Sequence, residues 1–168
     1  MIMTKKFYHM KQIATFAAGC FWHVQYVLQN LPGVIETTAG YTGGTLENPK
    51  YEDTHNGTSG HAEAVQVVFD PEHISYSNLL DAFWNLHDPT QLNRQGPDVG
   101  TQYRSAIFYH SDEQKHLAEE SRQELERSGK YTKPIATEIV HTKTFWPAED
   151  YHQNYVIKHG GVDICPAP

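Results

Sequence analysis

Cysteine is scarce in this chain: Cys20 and Cys165 are the only two in 168 residues. Two thiols are too few for a disulfide scaffold. Long apolar runs are lacking as well, so no membrane-spanning helix is expected. The opening MIMTKKFYHMKQ has no apolar stretch of the kind a secretory signal needs. Positive charge is in deficit, with 13 Lys and Arg against 20 Asp and Glu and a net charge of -7. That balance disfavours a nucleic-acid backbone or an anionic membrane as partner. Despite 11 histidines, ligand spacings such as HExxH and CxxC do not occur. Neither do the phosphate loops GxGxxG and GxxxxGK[ST]. No cofactor and no metal is therefore expected. What is present is 39% apolar residues, enough for one core at this length. The expectation is a soluble, cytoplasmic, single domain over residues 1–168, with a tail from about 156.

The hydrophobic pattern sets out the elements. Lys11 to Ala17 predicts a strand. Phe21, Val24, Leu28 and Leu31 then form a helical stripe that opens near Cys20 and ends at Pro32-Gly33. Val34 to Ala39 is strand-like, and the polar, glycine-rich stretch from Gly40 to Gly60 predicts a loop with a function. His61 to Phe69 alternates, with His61, Glu63, Val65, Val67 and Phe69 on one strand face. A helix over Ser75 to Leu86, a second polar loop and a strand over Arg104 to Tyr109 follow. Ser111-Asp112-Glu113-Gln114 reads as a capping box opening a helix to Ser128-Gly129, with Leu117, Ser121 and Leu125 inward. Ile135 to His141 predicts a last strand, and Ala148 a short helix before an irregular end. The order β-α-β-β-α-β-α-β predicts an α/β (α+β) sandwich. Its core would be a split βαβ, ferredoxin-like arrangement with a mixed, largely antiparallel sheet and helices on one side. A doubly wound parallel sheet fits less well, because Val34–Ala39 and His61–Phe69 have no crossover helix between them.

Several residues carry chemistry by type and place. Cys20 sits between a strand-ending glycine and the first turn of a helix, where unpaired N–H groups and the dipole favour a thiolate. A buried filler thiol is the competing reading. Phe21 and Trp22 would give it an apolar, aromatic wall. Glu63 shares its strand face with Val65, Val67 and Phe69, so desolvation would raise its pKa and make it a proton donor. A solvent-facing glutamate at a frayed strand start is the alternative. The loops carry Tyr51, Asp53, His55, Asp98 and Tyr103, which could orient a polar substrate atom. Cys165, five residues after Gly160-Gly161, could swing to another thiol or tie the tail down statically.

Taken together, GCFW at 19–22, GYTGG at 40–44, NPKYE at 48–52, SGHAE at 59–63, GTQYRS at 100–105 and FWPAEDYHQNY at 145–155 resemble peptide methionine sulfoxide reductase A. The resemblance runs from about Ile13 to the C-terminus. It implies Cys20 as nucleophile and Phe21 with Trp22 as the cage for the substrate's S-methyl group. It implies Glu63 as the acid at the sulfoxide oxygen, Tyr51 and Tyr103 as hydroxyl donors there, Asp98 as a polar support and Cys165 as the recycling cysteine. It implies an oxidoreductase of protein repair and oxidative stress that acts on methionine S-sulfoxide, free or in proteins, without a cofactor. Thioredoxin or a similar dithiol would regenerate it through a Cys20–Cys165 redox-active disulfide. Three departures from the common pattern stand out. His23 follows Trp22 where glycine is usual, Thr54-His55-Asn56-Gly57 has no cysteine, and the tail holds one cysteine. On the residues alone, a cysteine hydrolase with a histidine base and a non-enzymatic binding protein with a structural disulfide remain alternatives.

Overall fold

The computed structural model describes residues 10–161. Strand β1 (Gln12–Ala18) starts exposed and becomes fully buried from Ala14. Helix α1 (Phe21–Gln29) turns Phe21, Val24, Gln25 and Leu28 inward, the spacing of one helical face. It ends at Asn30, so Leu31 lies just beyond the helix, with its N–H on the Leu28 carbonyl. Strand β2 (Val34–Thr42) runs three residues further than the sequence pattern suggested. Helix α2 (Tyr51–His55) lies inside the first polar stretch and precedes strand β3 (Ala62–Phe69). Ser75 caps helix α3 (Tyr76–Asn85) by accepting from the Asn78 N–H. A small hairpin, β4 (Arg94–Gln95) with β5 (Asp98–Val99), and a 3-10 turn (Thr101–Tyr103) occupy the second polar stretch. Strand β6 (Ser105–Tyr109), helix α4 (Asp112–Arg127), strand β7 (Glu138–His141), strand β8 (Trp146–Pro147), a 3-10 turn (Asp150–His152) and helix α5 (Tyr155–Lys158) complete the described chain.

Among the described residues six strands form one sheet in the order β7-β6-β1-β3-β2-β8. All neighbours are antiparallel except β6 and β7. The fold is therefore mixed α/β with a mainly antiparallel sheet. Because β3 is antiparallel to both β1 and β2, those two strands point the same way with β3 between them. Alternate sheet residues supply two apolar clusters. Phe16, Tyr41, Val65, Val67 and Ile107 join Phe21, Leu28, Leu79, Phe83 and Ala118 from the helices in the larger one. Ala17, Ala62, Ala64, Ala106 and Phe108 form a smaller cluster on the other face, with Phe145 packed on it. Small residues there leave room for a thin cover, and at Gly40 a Cβ would lie 2.4 Å from the Trp146 carbonyl.

Several local expectations need correction. The capping box at Ser111 is half formed. Its hydroxyl accepts from the Gln114 N–H, but the Gln114 carboxamide bonds the His110 N–H and the Ile13 carbonyl instead. The second of those bonds ties α4 to the start of β1, which a purely local box would not do. On α4 the buried residues are Gln114 and Ala118; Leu117 and Leu125 are partly buried, and Ser121 accepts from the Trp84 indole at 2.6 Å. The last main strand begins at Glu138 and not at Ile135. In place of one helix from Ala148 there is a 3-10 turn and then α5, separated by Asn154 in the left-handed region. Among the described residues no helix is long and apolar enough to cross a membrane.

Candidate active site

Cys20 follows Gly19 at the end of β1 and stands immediately before the first residue of α1. Its φ of -57° and ψ of 120° lie outside the helix, yet its carbonyl already accepts from the Val24 N–H. The half-buried thiol is thus held where unpaired helix N–H groups and the positive dipole end favour negative charge. Gly19 is required for this turn. Its φ is +94°, and a Cβ there would lie 2.8 Å from the Gln95 Cβ.

Glu63 comes from the neighbouring strand. Val65 pairs with Phe16, so two residues earlier β3 reaches the end of β1 that carries Cys20. Glu63 is 2% exposed, and its Oε2 accepts from the Phe21 N–H at 3.1 Å. The first turn of α1 contains no acidic residue of its own, and this carboxyl supplies the acceptor from outside. The frayed, solvent-facing alternative for Glu63 is excluded by its burial.

Phe21 and Trp22 diverge. Phe21 is buried against Tyr41, with ring centres 5.7 Å apart, and against His152 at 5.0 Å. Trp22 is half-buried, and its indole N–H donates to His152 Nδ1 at 3.0 Å. Its face stacks on Tyr155 at 3.7 Å and an angle of 5°. An indole can only donate, so His152 Nδ1 accepts and the ring hydrogen sits on Nε2. Burial lowers the His152 pKa, opposed by Glu149 and reinforced by His55.

Tyr51 and Tyr103 stand near enough that each phenol acts on the titration of the other. Tyr51 is the first residue of α2, and Tyr103 ends the 3-10 turn after the hairpin. Burial, then the charges of Glu63 and Cys20, push the Tyr51 pKa up to about 12, with Tyr103 opposing. Tyr103 is raised further, by burial and then by Glu63, Tyr51, Asp98 and Cys20. Both phenols are therefore neutral donors at physiological pH. These couplings gather Cys20, Glu63, Tyr51, Tyr103 and Asp98 into one locus. Asp98 lies on β5, where burial raises its pKa and His55 opposes. His55 lies edge-on to Tyr51 at 4.2 Å. Asp53 stands apart in role, since its carboxylate accepts from the Lys50 N–H and caps α2.

Sequence reasoning assigned no roles within Ala148 to Tyr155, yet this segment braces the site. Beyond His152 and Tyr155, Gln153 accepts from the Ala39 N–H and donates to the Ala39 and Ala148 carbonyls. Glu149 accepts from the Tyr41 hydroxyl, the Tyr51 N–H and the Tyr151 hydroxyl. The motif FWPAEDYHQNY carried the signal, but none of its residues alone did. His23 reaches the far end of α3, with Nε2 3.2 Å from the Leu86 carbonyl. Cys165 lies outside the described residues. Among those residues no cluster of His, Cys, Asp and Glu could hold a metal ion. A thiol at a helix start, a buried carboxyl beside it and two neutral phenols can together attack an electrophile and protonate its leaving oxygen.

The family profile described as peptide methionine sulfoxide reductase matches residues 12–167. Over 148 residues the chain is 57% identical to the peptide methionine sulfoxide reductase MsrA of Geobacter sulfurreducens, covering 88% of this chain and 91% of that one. The reduced form of Mxr1 from Saccharomyces cerevisiae superposes with a TM-score of 0.86 at 34% identity, covering 93% of this chain and 90% of that one. Mxr1 in complex with Trx2 superposes with a TM-score of 0.64 at 26% identity, covering 98% and 93%. With its profile match spanning nearly the whole sequence, the chain belongs to the peptide methionine sulfoxide reductase family.

Proposed function

We propose that this chain is a peptide-methionine (S)-S-oxide reductase, reducing methionine S-sulfoxide, free or in proteins, to methionine at the expense of thiols. The observation that carries the reading is the meeting of Cys20 at the start of α1 with the buried Glu63 carboxyl on the Phe21 N–H. Sulfoxide sulfur is electrophilic, and its oxygen leaves only when protonated. Cys20 as thiolate attacks the sulfur. Glu63 delivers a proton to the oxygen while Tyr51 and Tyr103 donate hydrogen bonds to it. Oε2 of Glu63 accepts from the Phe21 N–H, and in this reading the transferable proton is carried on Oε1. The adduct then collapses: the bond between Cys20 and the substrate sulfur and the substrate's S–O bond both break as the hydroxyl passes to Cys20 Sγ, releasing methionine and leaving a Cys20 sulfenic acid. Phe21 and Trp22 form the cage for the S-methyl group, and Asp98 supports the polar side.

Cys165 serves recycling in this reading. Its thiol condenses with the sulfenic acid, releasing water and forming a Cys20–Cys165 disulfide, which an external dithiol reduces by exchange. The complex of the related Mxr1 with Trx2 supports thioredoxin as that reductant. A cytoplasmic setting, where thioredoxin keeps dithiols reduced, belongs to the same proposal, as does a single catalytic domain over 1–168 with a tail from about 156. So does a split βαβ, ferredoxin-like core, supported by β3 lying between the parallel strands β1 and β2. The test is turnover of each purified epimer of methionine sulfoxide, with thioredoxin, thioredoxin reductase and NADPH. Consumption of the S epimer alone is the expected result. Absence of turnover with both epimers overturns the reading.

A further inference from the structure

Glu149 takes no part in the proposed chemistry, yet three donors from three stretches of chain converge on its carboxylate. Oε1 accepts from the Tyr41 hydroxyl at 3.0 Å. Oε2 accepts from the Tyr51 N–H at 3.3 Å and from the Tyr151 hydroxyl at 3.2 Å. Tyr41 comes from β2, is fully buried and packs its ring on Phe21. Tyr51 is the first residue of α2, so its N–H is one of those a helix leaves unpaired. Burial works against the charge on Glu149. Its own backbone, the Tyr41 hydroxyl, the Tyr51 N–H and His152 outweigh it and hold the carboxyl below the ordinary range.

We propose that Glu149 is a positioning residue that sets the oxygen-binding wall of the site, through Tyr51, at a fixed distance from the methyl-binding wall, through Tyr41 and Phe21. The inference rests on the reductase reading above and deepens it. The two oxygens belong to one rigid, planar group. Each wall is therefore referenced to the same group, one through Oε1 and the other through Oε2, and charge-assisted bonds hold both. A sulfoxide presents its oxygen and its methyl group from one sulfur atom, so the separation of the walls decides how well a methyl group, and not a longer one, is accepted. Without the carboxylate, α2 and Tyr41 can drift independently. Displacements of about 1 Å at such a site cost up to about 100-fold in rate.

The experiment compares the parent protein with Glu149→Ala, Glu149→Gln and Tyr41→Phe. It measures kcat/KM on an S-configured methyl sulfoxide and on its ethyl counterpart, and the thermal midpoint of each protein. In Glu149→Ala we expect kcat/KM on the methyl sulfoxide to fall about 10- to 100-fold. The ethyl sulfoxide should lose distinctly less, so the methyl-over-ethyl preference narrows. Glu149→Gln should recover most of the loss. Its carboxamide oxygen can accept from the Tyr51 N–H while its NH2 donates to a Tyr41 hydroxyl turned to accept. An unchanged methyl-over-ethyl ratio in Glu149→Ala overturns the proposal, however large the common loss, because general destabilisation affects both substrates alike. If that variant does not fold, Tyr41→Phe decides, since it cuts only the Oε1 link. A narrowed ratio there supports the proposal and an unchanged one overturns it. A parent protein inactive on both sulfoxides refutes the reductase reading itself, a different outcome from an active parent with an unaltered variant.

Discussion

Glu63 shows how one side chain acquires a role from its surroundings. The alternation of His61 to Phe69 placed it on an apolar face, and its burial at 2% agrees with that. Nothing in that alternation indicates that its carboxyl bonds the Phe21 N–H beside the thiol. Glu63→Gln keeps the shape and can still accept that bond, but has no acidic proton to release. The single-turnover rate of sulfoxide reduction should fall by about 10²–10⁴-fold, measured by rapid quench with one equivalent of substrate. A rate within threefold of the parent at pH 7 rules out the acid. The support of Trp22 by His152 was not legible at all. The two residues are 130 positions apart, and nothing in a lone buried histidine says which donor will meet it.

At the scale of elements, the long helices and main strands were readable because burial repeats along them. The short pieces were not. Helix α2 and the β4–β5 hairpin sit in polar stretches with no repeating apolar face, and tertiary contacts define them. The hairpin is held by Gln95, whose carboxamide accepts from the Asp88 N–H at 3.0 Å and donates to the Asp88 carbonyl at 2.9 Å. The same side chain packs on Gly19, so the turn before Cys20 and the hairpin that carries Asp98 are fitted to each other. Gly19→Ala combines a strained φ with a Cβ contact against Gln95. It should destabilise the protein by roughly 2–4 kcal/mol, read from urea unfolding. A loss under about 0.5 kcal/mol would show that the turn relaxes freely.

For the whole molecule, the buried chain Thr137–Ser105–His87 joins the approach to β7, β6 and the end of α3. His87 Nδ1 donates to the Phe83 carbonyl and Nε2 accepts from the Ser105 hydroxyl. That hydroxyl lies 2.7 Å from the Thr137 hydroxyl. Burial lowers the His87 pKa from 6.5 to about 4, with the Phe83 bond and Asp88 opposing. The folded pKa lies below the unfolded one, so this contribution is complete above about pH 6.5 and is lost as the pH falls toward 4. The loss amounts to roughly 3 kcal/mol. His87→Gln, which offers a donor and an acceptor but does not titrate, should flatten the fall in urea midpoint over that range. An equally steep fall in the variant places the acid sensitivity elsewhere. The proposed relay also belongs to this scale. Cys165→Ser should still reduce one equivalent of methionine sulfoxide and then retain a trappable sulfenic acid. Thioredoxin-driven turnover should collapse, and full turnover would refute the two-cysteine relay.

The sequence by itself determined which segments become the main strands and helices, because periodic burial is a local property of the chain. It also placed Cys20 at a strand-to-helix junction, since a glycine, a cysteine and the onset of a helical stripe are neighbours along it. Tertiary structure alone decided the register of β3 against β1, which brings the Glu63 carboxyl to the first turn of α1. It alone decided that the segment from Ala148 to Tyr155 braces Trp22, Tyr41 and Tyr51. Those contacts join residues distant in sequence. Their geometry is set by sheet order and by the need to satisfy buried polar groups, and neither is encoded in any single stretch of chain.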